Sequence, residues 1–263
     1  MGRPTLSESE SKQLLAAWSV RSAREHRANS AQAAVAAAEQ LGFPVALKVD
    51  SPDIPHKTEA GVVRLNLGDA AQVRTAYAEI LASASAYLSA LPLDGVGGGD
   101  RAGGNPSTPS PLTGEGWGGG EFAARSPSGQ ARITGVSVQE MVGDGVEVII
   151  GVSCDPQLGP VLLFGSGGVM VEVYNNVALR RCPITRSEAQ AMIAEVKGAR
   201  LLQGFRRRPA ADLEALEDTL VRVSYLAMHL EGNLTELDIN PLIVLPSGQG
   251  VKAVDGLVVF RGR

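Results

Sequence analysis

The sequence is short of the residues that usually build disulfide frameworks, metal clusters and aromatic interfaces. Its 263 residues include two cysteines, three histidines and two tryptophans. The cysteines, Cys154 and Cys182, are too few for a disulfide framework and have no metal-ligand spacing, which favours a reducing cytoplasm. Both fit the role of small core residues better than the role of nucleophiles.

Positive charge and long apolar runs are also in short supply. The formal net charge is −4, so bulk charge would not attract nucleic acid or anionic lipid. A solvated helix end accounts for the one basic run, at residues 206–208. No apolar run approaches the roughly 20 residues that cross a bilayer, and the polar N-terminus is unlike an export signal. We therefore expect a cytoplasmic protein with neither a nucleic acid nor a membrane as partner.

Helical and strand patterns alternate clearly along the rest of the chain. Capping residues and apolar spacing predict helices at residues 5–19, 31–41, 69–91, 186–196 and 211–230. Apolar runs and alternation predict strands at residues 44–49, 62–67, 133–141, 146–153, 160–164, 169–173, 234–245 and 251–260. In this prediction two helices precede the first strand, and the strands on either side of the Gly-Asp-Gly turn at 143–145 form a hairpin. Hairpins mixed with helical connections indicate an α+β fold.

One segment has a different composition from its surroundings. Residues 94–130 hold 12 of the chain's 31 glycines, with several prolines and serines, and cannot bury enough apolar surface to offset the entropy of ordering. A phosphate-binding loop is disfavoured here, because no strand leads into the glycines and no Lys-Ser or Lys-Thr follows them. We therefore divide the chain into residues 1–93, a disordered insertion at 94–131, and residues 132–263.

The loop at residues 51–61 follows a strand that carries a buried-looking lysine. Lys48 lies within an apolar run, where an ammonium group needs an anion, so it predicts a phosphate or carboxylate partner. His56 comes eight residues later, in the loop Ser-Pro-Asp-Ile-Pro-His-Lys-Thr-Glu-Ala-Gly. The alternative for His56 is an ordinary loop histidine that is hydrogen-bonded to backbone.

Acidic and amide side chains interrupt the last predicted strands. Asp238 and Asn240 are two residues apart, so strand geometry places both on one face of a sheet. Asp255, across the final turn, could oppose them. Several such groups among strands suit a hard divalent ion that bridges phosphates, although salt bridges at a sheet edge are an open alternative.

Seven short motifs together carry a family resemblance. They are Gly-Phe-Pro-Val-Ala-Leu-Lys at 42–48, Ser-Pro-Asp-x-x-His-Lys at 51–57, Gln-Glu-Met-Val at 139–142, Gly-Val-Glu-Val at 145–148, Asp-Pro-Gln-Leu-Gly-Pro at 155–160, Phe-Gly-Ser-Gly-Gly at 164–168 and Glu-Leu-Asp-Ile-Asn-Pro-Leu at 236–242. In this order they resemble the ATP-grasp domain of ADP-forming acetyl-CoA and acyl-CoA synthetases, relatives of the succinyl-CoA synthetase β subunit. The resemblance spans nearly the whole chain outside the insertion. It implies an ATP-grasp fold, in which two α+β subdomains enclose ATP or ADP.

The resemblance implies roles for individual residues of the nucleotide site. Lys48 would contact nucleotide phosphate, and Asn240 and Asp255 match the Mg²⁺ ligands, with Asp238 close by. The residues that would line the adenine and ribose pocket are Gln139, Glu140, Met141, Val142 and Glu147.

Phosphate handling would involve three further groups. The glycine-rich turn at 165–168 links two predicted strands, so the N–H groups of Gly167 and Gly168 can face phosphate, although a tight turn explains the glycines almost equally well. Arg180 matches an arginine that pairs with phosphate, and its neighbour Arg181 is a weaker candidate. By the same resemblance, His56 would be a relay histidine, and an imidazole that is close to neutral at cytoplasmic pH is a competent nucleophile for phosphoryl groups.

The implied activity is that of an acid–thiol ligase subunit. The chain would bind ATP or ADP with Mg²⁺ and exchange phosphate with a CoA-binding α-type subunit or domain, as half of a hetero-oligomer. A second hypothesis is a catalytically silent nucleotide-sensing module that works with an acyltransferase. A carboxylate–amine ligase is a weaker third one, because the loop that carries His56 would have no function there.

Overall fold

The computed structural model of the protein describes residues 5–51, 54, 60–90, 133–167, 177–204 and 209–262. The helices in these ranges are α1 (Glu8–Ala17), α2 (Ala31–Leu41), α3 (Ala70–Ala90), α4 (Arg186–Glu195), α5 (Ala199–Leu202) and α6 (Leu213–His229). The strands are β1 (Glu25–Ala28), β2 (Val45–Asp50), β3 (Val63–Leu67), β4 (Gly135–Glu140), β5 (Val146–Asp155), β6 (Gly159–Ser166), β7 (Val177–Arg181), β8 (Leu234–Val244), β9 (Val251–Ala253) and β10 (Leu257–Phe260). The mixture of helices and antiparallel sheets is α+β, as predicted.

The first sheet has the strand order β1-β4-β2-β3, and all its neighbouring strands are antiparallel. Apolar residues alternate along its central strands, so Leu47 and Val49 of β2 and Val138 of β4 point to one face, where they share a core with α2 and α3. The intervening residues, including Lys48, therefore lie on the opposite face.

The second sheet has the order β10-β8-β5-β6-β7, with β9 also paired to β8. Its core face carries Val152, Leu162 and Leu237, which pack with α4 and α6. Leu15 of α1 is fully buried in the same core, so the N-terminal helix packs on the second sheet although the strands that follow it belong to the first. The other face of this sheet, which we call the open face, carries the more polar and more exposed residues of β5 and β8.

Local signals in the sequence located the helices well. α1 begins with a capping box in which Ser7 and Glu10 satisfy each other's backbone N–H groups. The Ser30 side chain caps α2 by accepting a backbone N–H, and Gly42 ends the helix with φ +90°, a conformation that favours glycine. The predicted helices in the described residues are confirmed to within a few positions.

Three predictions about strands are wrong. The short strand β1, with the sequence Glu-His-Arg-Ala, lies between α1 and α2 and has no apolar alternation to reveal it. β4 and β5 do not form a hairpin, because β4 pairs with β1 and β2 while β5 pairs with β6 and β8. The last predicted strand is two strands, β9 and β10, separated by the residues around Asp255.

Some expectations fall on residues outside the described ranges. Among them are the insertion at 94–131, the strand at 169–173 and the basic run at 206–208. Among the described residues, β4 follows the insertion yet belongs to the first sheet, so the two sheets are not simply the segments before and after it. Within the same residues, no helix has the length and apolar character needed to cross a membrane.

Candidate functional site

The buried ammonium group of Lys48 lies where the first sheet meets the β9–β10 loop. Its side chain is 7% exposed. Nζ lies 3.2 Å from Oε1 of Glu8, 3.2 Å from the carbonyl oxygen of Val254 and 3.5 Å from Oδ2 of Asp255. The anions that the sequence required are therefore two carboxylates, one from α1 and one from the loop between β9 and β10.

A chain of buried charges continues from Lys48 through α1. Oε1 of Glu8 also accepts a hydrogen bond from Nζ of Lys12 at 2.7 Å, and Lys12 donates a second one to Glu25 of β1 at 2.7 Å. Burial acts to lower the pKa of Lys12, but the two carboxylates outweigh it and raise the pKa above its usual value. Lys12 is thus held in its charged form, and it fixes Glu8 in turn.

Sequence reasoning missed Glu8 and Lys12. Glu8 and Lys12 are four residues apart on a helix, which is also the spacing of ordinary surface ion pairs, so the sequence does not distinguish them from such a pair. They are buried only because α1 packs between the two sheets. The signal available in the sequence was the capping box at Ser7, which fixes Glu8 as the first residue of the helix.

Gln139 and Glu140 tie the end of β4 to the β9 region. Nε2 of Gln139 donates to the carbonyl oxygen of Val254 at 2.8 Å, the same oxygen that Lys48 contacts. Glu140 accepts from Nε of Arg24 at 2.7 Å and from Nζ of Lys252 at 2.6 Å. Burial acts to raise the pKa of Glu140, but its hydrogen bonds and the Lys252 charge outweigh this and lower it.

This network changes the expected role of Glu140. Its carboxylate is engaged by two cations, so in this structure it joins the two sheets rather than presenting a free acceptor for ribose. Met141 and Val142 follow it as half-buried residues on the path from β4 to β5, where one backbone connection leads from the first sheet to the second.

Asp238 and Asn240 lie on the open face, as their spacing predicted. Leu237 and Ile239 between and beside them are fully buried in the core, whereas Asp238 is half-buried and Asn240 exposed. Among the described residues, none donates a hydrogen bond to Asp238 or forms an ion pair with it. Burial, followed by the charges of Glu236 and Asp255, raises the pKa of Asp238 from 3.8 to about 7.

These side chains fit a divalent cation that is shared with phosphate. Two carboxylates within electrostatic reach, Asp238 and Asp255, and the amide oxygen of Asn240 are hard oxygen donors of the kind that Mg²⁺ prefers. A cation bound at Asp238 would oppose the burial and the neighbouring carboxylates that raise its pKa. No group of three or more His, Cys, Asp or Glu side chains among the described residues could hold a metal alone, so phosphate and water oxygens would have to complete the shell.

Glu147 and Gly167 are neighbours at the other end of the open face. The N–H of Gly167 donates to the carbonyl oxygen of Glu147 at 2.8 Å, so it is already satisfied and does not point freely at phosphate. A Cβ at Gly167 would lie 2.8 Å from the carbonyl carbon of Glu147, which gives a packing reason for this glycine. The side chain of Glu147 is exposed. Gly168 lies outside the described residues.

Arg180 is on the wrong face of the sheet for the expected phosphate contact. It pairs in register with Leu162, which pairs with Val152 of the core face. Its guanidinium binds Glu195 of α4 in an ion pair, which raises its pKa. Arg181 points to the open face instead, but it lies three strands from β8, roughly 14 Å across the sheet. The structure therefore does not bring Arg180 together with Asp238 and Lys48.

His56 lies outside the described residues, so its position relative to Lys48 is untested. Its described neighbours in the sequence are well anchored: Ser51 is buried, and Ile54 is fully buried in the core of the first sheet. Ser51 comes directly after β2, the strand that carries Lys48.

Comparison with known proteins gives these residues a family context. The family model of the ATP-grasp domain matches residues 1–97 and 121–260. The chain is 33% identical over 261 residues to the β subunit of the ADP-forming acetate–CoA ligase II of Pyrococcus furiosus, covering 99% of this chain and 94% of that subunit. It is 38% identical over 215 residues to the ADP-forming acetate–CoA ligase I of Archaeoglobus fulgidus, covering 81% of this chain but 25% of that longer protein.

Solved structures show the same likeness in three dimensions. The dinucleotide-forming acetyl-coenzyme A synthetase 1 of Candidatus Korarchaeum cryptofilum, in complex with coenzyme A, Ca-AMPCP and HgCl⁺, matches with a TM-score of 0.79 and 33% identity over 99% of this chain and 95% of that chain. Its structure with coenzyme A and Mg-AMPPCP matches with a TM-score of 0.71 and 31% identity, over 99% and 94% of the two chains. In that second structure the phosphohistidine segment points towards the nucleotide binding site.

Proposed function

The chain belongs to the ATP-grasp domain family, and we propose that it is the nucleotide-binding, β-type subunit of an ADP-forming acid–thiol ligase that acts on acetate or another acyl group. It binds ATP or ADP with Mg²⁺ and transfers a phosphoryl group between the nucleotide and a phosphohistidine relay. Support comes from the acetate–CoA ligase β subunit, which the chain matches over almost the full length of both proteins.

The observation that carries the proposal is a buried lysine and a carboxylate without a cation partner among the described residues, which lie on either side of Asp255. Lys48 supplies a buried positive charge from the first sheet. Asp238 supplies a half-buried carboxylate with no cation partner among the described residues, from the second sheet. Asp255 interacts with both. A nucleotide phosphate with its metal ion satisfies both sides, because phosphate complements the lysine and the metal complements the carboxylates.

In this function each residue binds the part of the metal–nucleotide complex that has the opposite charge. Lys48 holds a nucleotide phosphate, and Asp238, Asn240 and Asp255 hold Mg²⁺. When bound there, the metal would neutralise the charge that develops during phosphoryl transfer. Starting from ATP, a nitrogen of the neutral His56 imidazole forms a bond to the γ-phosphorus as the bond to the bridging oxygen breaks, and ADP leaves. The phosphohistidine then passes the phosphoryl group to the partner.

The partner in this proposal is a CoA-binding α-type subunit, and the assembly is a hetero-oligomer. The P. furiosus relative is itself named a β subunit, and the longer A. fulgidus relative has room for further domains in one chain. We place the reaction in the cytoplasm, since Cys154 and Cys182 are both free thiols.

Labelling with nucleotide tests the relay. Incubation of the protein, together with its partner subunit, with Mg²⁺ and γ-labelled ATP should give an acid-labile label on this chain, and His56→Ala should abolish it. His26→Ala is the matched control, because His26 is an exposed residue of β1, and it should retain the label. Nucleotide binding without any label on the wild-type chain would overturn the relay and favour the catalytically silent sensing module.

A further inference from the structure

Three oxygen atoms surround the ammonium group of Lys48 in this structure. A lysine ammonium carries three N–H donors. Two hydrogen bonds run to Glu8 and to the carbonyl of Val254, each at 3.2 Å, and the carboxylate of Asp255 lies 3.5 Å away as an ion-pair partner. A nucleotide phosphate that binds Lys48 therefore competes with these oxygens for the ammonium group.

Two of the three acceptors are fixed. The Glu8 side chain is 8% exposed and is held by Lys12 at 2.7 Å. The carbonyl of Val254 belongs to the backbone and is also held by Gln139 at 2.8 Å. If Glu8 or the Val254 carbonyl moved away from Lys48, it would also lose its buried hydrogen bond to Lys12 or Gln139. A phosphate is therefore not expected to displace either of them.

Asp255 is the acceptor that can be exchanged. It is the most distant of the three at 3.5 Å, and its side chain is 36% exposed. Its Oδ1 accepts the N–H of Gly256 at 2.8 Å, which leaves Oδ2 directed to Lys48. Asp238 lies close by on the open face, since it pairs in register with Leu257 of β10, two residues beyond Asp255.

We propose that the Lys48–Asp255 ion pair is a latch that a divalent cation opens. The cation binds Asp255 together with Asp238, draws Oδ2 away from Lys48, and so lets the nucleotide phosphate take the place of that carboxylate beside the lysine. Glu8 is then the positioning residue that keeps the ammonium group in place during the exchange. This inference rests on the proposed function, and it adds that metal and nucleotide binding are coupled through one lysine.

Binding of ADP with and without metal tests the latch. The dissociation constant of ADP is measured by calorimetry at pH 8, in EDTA and in Mg²⁺, for wild type, Asp255→Asn, Lys48→Met and the double variant. The asparagine side chain in Asp255→Asn keeps the acceptor for Gly256 but loses the charge that holds Lys48. Opening a partly exposed ion pair is worth about 1 kcal/mol, so Asp255→Asn should bind metal-free ADP about fivefold more tightly than wild type.

The controls separate the latch from a general charge effect. Glu236→Gln removes another carboxylate of the open face, one to which no binding role is assigned, and should change the metal-free affinity for ADP less than twofold. In the Lys48→Met background, Asp255→Asn should also change the metal-free affinity for ADP less than twofold. If Asp255→Asn proves unfolded by circular dichroism, Asp255→Ser takes its place.

Two kinds of result would overturn the latch. One is wild-type binding of Mg-ADP together with unchanged metal-free affinity in Asp255→Asn. The other is a gain in metal-free affinity that persists without Lys48. Both leave the proposed function standing. Absence of ADP binding to the wild-type chain in any condition would overturn the proposed function along with the latch.

Discussion

Replacing Asp238 by asparagine should stabilise the nucleotide-free protein at neutral pH. Asp238 is an acid on a largely buried strand, and no described cation neutralises it, so its pKa rises to about 7. In the unfolded chain the same carboxyl ionises with its ordinary pKa of 3.8. Between these two values the folded protein binds a proton that the unfolded chain has lost. Stability therefore falls as the pH rises through this range.

The size of the effect follows from the two pKa values. Each tenfold change in a proton equilibrium is worth about 1.4 kcal/mol, so a rise from 3.8 to about 7 corresponds to about 4 kcal/mol once the carboxyl is ionised in both states. The loss of unfolding free energy that this ionisation causes should be close to zero below pH 4, reach roughly half of its full value near pH 5.5, and level off above pH 8. The asparagine side chain has a similar shape and cannot ionise, so the variant should escape most of this loss.

Urea unfolding of metal-free protein at pH 4, 5.5, 7 and 8 provides the measurement. The variant minus wild-type difference in unfolding free energy should grow with pH, reaching about 3–4 kcal/mol at pH 8. Saturating Mg²⁺ with ADP should shrink the difference, because the wild-type carboxylate then has a cation.

A difference that stays constant across this pH series would refute the reasoning, because it would mean that Asp238 has the same pKa in the folded and unfolded states. Asp155→Asn is a useful control with the opposite sign. The N–H groups of Leu158 and Gln157 lower the pKa of Asp155, so its contribution to stability is present at neutral pH and is lost as the pH falls. The Asp155→Asn variant should therefore be less stable than wild type at pH 7, and the two proteins should become equally stable in acid.

Two further changes test the charge network around the site. Glu8→Ala leaves the buried ammonium groups of Lys12 and Lys48 without their shared anion, so the unfolding free energy measured in urea should fall by about 3 kcal/mol. In the control variant Glu214→Ala, which removes an exposed carboxylate, it should fall by less than about 0.5 kcal/mol. Glu140→Gln removes the negative charge that pairs with two cations, and it should lower the unfolding free energy by about 2 kcal/mol at pH 7. Because the pKa of Glu140 is lowered in the folded protein, the difference in unfolding free energy between wild type and variant should shrink as the pH falls below 4.5. A difference that grows in acid would contradict the role of Glu140 as a charged partner of these two cations.

Properties that depend on a few neighbouring residues could be predicted from the sequence. The shared face of Asp238 and Asn240 follows from the two-residue period of a strand, and the structure places both on the open face. The need of Lys48 for an anion follows from the cost of burying a charge, and two carboxylates meet it. The limits of α1 and α2 follow from capping chemistry at Ser7 and Ser30.

Properties that depend on which strands pair could not be predicted in the same way. The turn between β4 and β5 has the composition of a hairpin, but the two strands separate into different sheets, because partners distant in sequence compete for each edge. Arg180 illustrates the consequence for the site. A shift of one residue exchanges the faces of a strand, so only the observed register of β7 against β6 shows that Arg180 faces α4 and Arg181 the open face.

The two electrostatic irregularities of the site are best understood together. Lys48 has more anionic neighbours than one positive charge requires, while Asp238 has anionic neighbours and no cation among the described residues. Asp255 takes part in both, since it lies against Lys48 and raises the pKa of Asp238. A metal ion alone would relieve Asp238 but leave the lysine without phosphate, and a phosphate alone would meet three carboxylates. A metal–nucleotide complex resolves both at once, because its cation takes up the carboxylates of Asp238 and Asp255 while its phosphate replaces Asp255 beside the lysine.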